Sequence, residues 1–173
     1  CHAAPALYTA LALYNYIPVQ QLKLYGAWGS GLESHPDCQV TPGIEVSGGS
    51  LGQIPGVAVG RALGIRQHGP DHYDRMVYVM IGDGECNEGS VWEAAEVARH
   101  AGLDNLCAII DVNRLGQSDP TMLQHDMEAY RARWAGFGWQ AIVVDGHDVG
   151  ALVAAFEEAG RTKGRPTVLL AKT

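Results

Sequence analysis

The sequence predicts an α/β fold, a doubly wound and mostly parallel sheet with helices on both faces. Two observations lead to it. From residue 76 onward, short apolar runs rich in β-branched residues alternate strictly with helix-length stretches. Those runs lack the polar alternation of a half-exposed strand, so each reads as a strand covered on both sides, as in parallel sheets built from right-handed βαβ crossovers.

Taken in order, Pro5 to Tyr16 is rich in alanine and leucine, with proline early, where a helix tolerates it. Pro18 to Tyr25 repeats that pattern at shorter length. Gly29 to Gly49 is glycine, serine and proline punctuation, too long for a simple turn and therefore a functional loop. Leu51 to Gln67 predicts a helix whose start is delayed by Pro55. Its glycines at 52, 56, 60 and 64 share a face that would admit another backbone closely.

Met76–Ile81 is the first strand. Asn87 is the expected cap of a helix from Glu88 to Ala101, stopped by Gly102. Leu106–Asp111, Trp139–Val144 and Thr167–Ala171 are the remaining strands, and Asp126–Ala135 and Val149–Ala159 the remaining helices.

The chain of 173 residues suits one domain over 1–173, and its 47% hydrophobic content excludes disorder. Twelve basic residues against 19 acidic ones give a net charge of −7, which argues against a nucleic-acid partner. No apolar run reaches the roughly 18 residues of a membrane span. The cysteines, at 1, 38, 86 and 107, form no CxxC pair, so a zinc knuckle is excluded. They read as free thiols in a reducing, cytoplasmic compartment.

In open parallel sheets, ligands bind beyond the carboxyl ends of the strands. Three such ends carry polar residues: Gly82-Asp83-Gly84, Asp111-Val112-Asn113 and Asp145-Gly146-His147-Asp148. Asp83 and Asn113 are 30 residues apart, about one βαβ unit, so both emerge at the same edge. On neighbouring strands they would stand about 5 Å apart. A carboxylate paired with an amide oxygen suits Mg²⁺ that shares a diphosphate. Other phosphate motifs fail: asparagine at 87 breaks the dinucleotide fingerprint, and no GKS or GKT is present.

The stretch GDGECNEGSVWEAAEVARHAGLDNLCAIIDVNRLGQSD (82–119) resembles the thiamine diphosphate signature of the transketolase family. TPGIEVSGGSLGQ (41–53), His35-Pro36, HAAPALY (2–8) and VVDGHD (143–148) match the same family, so the resemblance runs along the whole chain. It implies the thiamine-diphosphate-binding fold, with Asp83 and Asn113 ligating Mg²⁺ by side chain and Leu115 by its carbonyl. The implied cofactor set is Gly49, Leu51, Gly82, Asp83, Gly84, Glu85, Asn113 and Leu115.

His2 and His35 would line the donor-sugar pocket and stabilise developing oxyanion charge. Glu88 and Glu93 match carboxylates of an interface network, with Trp92 expected on the same exposed face. The implied activity is transfer of a two-carbon ketol unit from a ketose to an aldose, with sugar or sugar phosphate substrates. Thiamine activation would need an acid on a second, C-terminal transketolase-like domain or subunit, in a homodimer or a heterotetramer. Further segments before Cys1 and after Thr173 are expected. Another thiamine-dependent C–C bond enzyme half, or a non-catalytic scaffold subunit, is the alternative.

Overall fold

Proline and alanine at the start of the described chain make α1 (Ala4–Leu13), with Pro5 in its first turn. In this computed structural model residues 3–69 and 74–173 are described, so Cys1, His2 and His72 lie outside them. The chain divides into two compact units, Cys1–Leu51 and Gly52–Thr173. In the first, Tyr8 and Leu11 of α1 pack with Ile17, Leu32 and Ile44 into a small core. The expected second helix is a single 3-10 segment, Val19–Leu24, with no buried residue. Without an apolar stripe to bury, it has no packing reason to extend.

The loop that follows is organised by Asp37. Its Oδ1 accepts from the Gln39 N–H at 2.8 Å and from the Ser47 hydroxyl at 2.9 Å. Those two bonds hold the Asp37 carboxyl below the usual carboxylate range, the Gln39 backbone bond contributing most.

The second unit begins with α2 (Gln53–Gln67), capped by Gly52 in the left-handed region at φ 79°. Pro55 falls in its first turn, where its missing N–H costs nothing. Strands β1 (Val77–Gly82), β2 (Leu106–Val112), β3 (Gln140–Asp145) and β4 (Thr167–Lys172) are linked by α3 (Gly89–His100), α4 (Met127–Gly136) and α5 (Val149–Arg161). All pairings are parallel, in the order β1-β2-β4-β3.

One face packs Val79, Ile81, Ala108, Ile110, Val168 and Leu170 against α2, α3 and α4. The other packs Cys107 and Leu169 under Ala155 and Ala159 of α5. Helices on both faces bear out the fold class. Alanines 58 and 62 of α2 lie in one cluster with alanines 94, 95 and 98 of α3. Burial pushes the Cys86 and Cys107 thiols up to about 12, so both stay protonated; Cys38 is exposed.

Two local expectations fail. The glycine stripe at 56, 60 and 64 admits no backbone: a Cβ at any of them would meet nothing within 4 Å. Helix packing uses the alanines instead. Asn87 does not cap α3 either; it ends a 3-10 turn, Glu85–Asn87, and Glu88 takes the N-cap position without a side-chain bond. The opposite end of α3 fits expectation, with Gly102 at φ 60° and the Leu103 N–H returning to Ala98 O at 3.0 Å.

An aromatic cluster closes the core beneath α4. Trp134 packs between Trp92 and Trp139, each with ring centroids 5.0 Å away. The Trp139 indole donates to Ala95 O at 2.9 Å, whereas the buried Trp134 indole finds no acceptor. Removing an orphaned donor offsets part of a cavity cost, and removing a satisfied one does not. Trp139→Phe should therefore destabilise by about 2–3 kcal/mol and Trp134→Phe by about 1 kcal/mol or less. Chemical denaturation followed by far-UV circular dichroism gives the comparison; equal losses would contradict this account.

Candidate functional site at the carboxyl edge of the sheet

Parallel pairing sets Gly82 opposite Asp111, so the residues that follow both strands leave the sheet at one edge. Asp83 extends the ladder by one bond, its N–H donating to Asp111 O at 3.1 Å. Its side chain is 2% exposed. Oδ1 accepts from the Gly84 N–H at 2.9 Å, and Oδ2 from the Arg114 N–H at 3.0 Å and the Thr121 hydroxyl at 2.8 Å. All three partners are uncharged. A buried carboxylate held by neutral donors lacks a counter-charge, which is the environment a bound cation completes.

Asn113 follows β2. Its Nδ2 donates to Asp111 Oδ2 at 2.8 Å, and its Oδ1 accepts from the Leu115 N–H at 2.8 Å, leaving one lone pair on Oδ1. Asp111 also accepts from the Thr173 hydroxyl at 2.6 Å. Arg114 lies in the left-handed region at φ 67°, a conformation non-glycine residues adopt at some cost. Its N–H is the one that meets Asp83. The Leu115 carbonyl lies near Gly84: a Cβ built there would stand 3.8 Å from Leu115 O and 3.6 Å from Thr121 Cγ2. Donor chemistry therefore fits Mg²⁺, with a carboxylate oxygen, an amide oxygen and a main-chain carbonyl on neighbouring segments.

Glu85 is not free to reach a ligand. Oε1 accepts from the Gly52 N–H at 2.8 Å and Oε2 from the Gly82 N–H at 3.2 Å. It braces the start of α2 against the end of β1, so any contact it makes with a cofactor would come through its main chain. Ser90 strengthens that brace, donating to Gly52 O at 2.9 Å. Glu88 and Glu93 are exposed, but Trp92 is not on an open face: its indole donates to Cys86 O at 2.8 Å and its ring stacks on Phe137. The apolar ring has a core to fill, and α3 turns it inward.

In the first unit, His35 is exposed and its Nδ1 lies 3.2 Å from Ser34 Oγ. Its ring occupies the space a Cβ on Gly49 would fill, and Gly49 has φ 155°. These two residues are thus brought together, while Leu51 is exposed and His2 falls outside the described residues. His125 Nε2 lies 3.1 Å from Val112 O and 3.0 Å from Thr173 O, donating to both and tying the ends of β2 and β4 together. The His147 N–H donates to Asp145 Oδ1 at 2.9 Å in the turn that leads to α5.

Sequence reasoning missed Thr121 and Tyr130. Tyr130 on α4 is buried; burial first, and then the Asp83 charge, push its hydroxyl pKa up. No motif marks either residue, and only the folded loop brings them to Asp83.

A parallel α/β sheet with a buried Asp, an Asn and a loop carbonyl at its carboxyl edge has the architecture of a ligand-binding α/β domain, whose ligands sit beyond the strand ends. Residues 1–173 match the family described as "Transketolase, thiamine diphosphate binding domain", and the chain belongs to that family. It is 46% identical over 172 residues to the transketolase of Pongo abelii, covering 99% of this chain and 27% of that protein. It is 40% identical to a 6-deoxy-6-sulfo-D-fructose transketolase subunit of Clostridium sp. (strain MSTE9), covering 99% of this chain and 62% of the subunit. Among solved structures, the transketolase of Campylobacter jejuni superposes with a TM-score of 0.90 at 30% identity, over 99% of this chain and 28% of that one. The chain thus spans about a quarter of the full transketolases it matches and under two thirds of the subunit.

The two site glycines should respond oppositely to one added methyl group. A Cβ on Gly84 meets only contacts of 3.6–3.8 Å, so Gly84→Ala should unfold at the wild-type temperature. Gly49→Ala must displace the His35 ring and should cost about 1–3 kcal/mol. Thermal unfolding of both variants tests this, and a stable Gly49→Ala would show that the His35 ring does not sit there.

Proposed function

We propose that this domain binds thiamine diphosphate through Mg²⁺ and forms part of a transketolase that moves a two-carbon ketol unit from a ketose to an aldose. The observation that supports it most is the Asp83 carboxylate, buried among neutral donors at the carboxyl edge of the sheet, in a chain of the transketolase family. In this reading the Asp83 and Asn113 side chains and the Leu115 carbonyl hold the metal. The bound thiamine supplies a nucleophilic carbon that takes up and releases the fragment.

The chain's own residues bind and orient. Gly84 leaves its backbone bare for the diphosphate, and Gly82 keeps the strand end free of a side chain. Glu85 fixes the turn by holding the Gly52 and Gly82 N–H groups. Gly49 and Leu51 belong to the cofactor set through their match to the family, and Gly49 also makes room for the His35 ring. His35, with His2, would hydrogen-bond the sugar oxygen that gains negative charge.

Sugar or sugar phosphate substrates, and a C-terminal transketolase-like domain or subunit that completes the site, follow from the same reading. So does a dimer or a heterotetramer, and a cytoplasmic setting is the reading of the cysteines. No helix among the described residues is long and apolar enough to cross a membrane.

Calorimetry with thiamine diphosphate and Mg²⁺ on the assembled protein tests the metal assignment. Asp83→Ala should weaken binding by 10–100-fold or more while the circular dichroism spectrum stays native. Wild-type affinity in that variant would overturn the assignment. His35→Ala should instead lower kcat for ketol transfer with cofactor affinity nearly unchanged, because it acts on charge formed during reaction. Full turnover would return His35 to a structural role.

A further inference from the structure

The segment between Asn113 and α4 is a closed loop. Leu115 pairs with Pro120 in an isolated antiparallel bridge. The Thr121 N–H returns to Arg114 O at 3.0 Å, and the Gly116 N–H to Asp119 O at 3.0 Å. The two residues at its base, Arg114 and Thr121, converge on one atom, Asp83 Oδ2.

A carboxylate oxygen has two in-plane lone pairs, so Oδ2 is filled by these two donors. Among the described residues Oδ1 receives only the Gly84 N–H and keeps one lone pair open. Thr121 is 5% exposed, and its hydroxyl donates to Asp83 Oδ2 from a buried position.

We propose that Thr121 is a positioning residue for the metal site. Its hydroxyl fixes the Asp83 carboxylate with Oδ2 saturated and Oδ1 presented, while its N–H closes the loop that carries the Leu115 carbonyl. The inference rests on the reading of Asp83 as a metal ligand. It adds that Asp83 binds through one oxygen, and that one residue ties the base of the loop to the carboxylate. Val in place of Thr121 keeps the shape and deletes the hydroxyl donor, leaving Oδ2 held by the Arg114 N–H alone with a lone pair open to chelate; Ser keeps the donor.

The experiment is calorimetric titration of Mg²⁺ into the full, assembled protein at fixed thiamine diphosphate, with metal-free thermal unfolding measured alongside. Thr121→Val should weaken Mg²⁺ affinity by roughly 10–100-fold, and Thr121→Ser should restore it to within about threefold. Turnover of Thr121→Val should recover at saturating Mg²⁺. Should Thr121→Val fail to fold, Thr121→Ala serves in its place, with an expected loss of roughly 10–100-fold. A lower metal-free unfolding temperature with unchanged Mg²⁺ affinity in the folded variant would overturn the proposal. Asp83→Ala separates the two readings. If it loses Mg²⁺ while the Thr121 variants do not, only the positioning role falls; if Asp83→Ala itself binds normally, the metal site falls with it.

Discussion

The parallel pairing of β1 with β2 is the constraint on which the site depends. Because the strands run the same way, their carboxyl ends share an edge, and the register of Gly82 with Asp111 fixes how far each projects. A shift by one residue would turn Val79 and Ile81 out of the core and carry Asp83 off the Arg114 N–H. Burial of alternate β1 residues against α2, α3 and α4 therefore specifies the position of a carboxylate at the strand's end. Packing in the core and chemistry at the edge are set by one register.

The turn after β1 shows how the chain keeps that edge rigid without filling it with side chains. Gly82 and Gly84 leave space, and the fastening comes from further along. Glu85 takes two main-chain N–H groups, Ser90 takes the Gly52 carbonyl, and Asp83 takes the Arg114 N–H from the neighbouring strand's loop. The 3-10 turn at Glu85–Asn87 puts Glu85 where both N–H groups can be reached, and delays α3 until Gly89. The position expected to cap the helix serves that turn instead.

The strands, their order along the chain and the emergence of Asp83 and Asn113 at one sheet edge were legible because periodicity and the one-crossover spacing are local signals. The position of Leu115 came with the resemblance, and the structure puts its carbonyl beside Gly84. Thr121 was not legible. It lies eight residues past Asn113 in a loop without a motif, and the bonds that close that loop return it to Asp83. The glycines of α2 misled for a related reason: a stripe of small residues announces that close approach is possible, but α2 approaches α3 by its alanines. Glu88, Trp92 and Glu93 were expected to share an exposed face, yet the indole had a carbonyl and two aromatic rings to pack against.

Charge along the same edge bears on how a diphosphate would be held there. Asp83, Asp111, Asp145 and Asp148 all stand at or just past strand ends, accompanied by Lys172 and Arg114, in a chain of net charge −7. An uncompensated diphosphate would be repelled by this rim, and the main-chain N–H groups of Gly82, Gly84 and Arg114 are already committed to carboxylates. Those three N–H groups are therefore not free to act as an anion cradle of the kind found in glycine-rich phosphate loops. The proposed Mg²⁺ resolves the conflict, since one dication satisfies the buried carboxylate and presents a positive face to the phosphates. In that arrangement the acidic edge is what retains the metal, and the metal is what retains the cofactor.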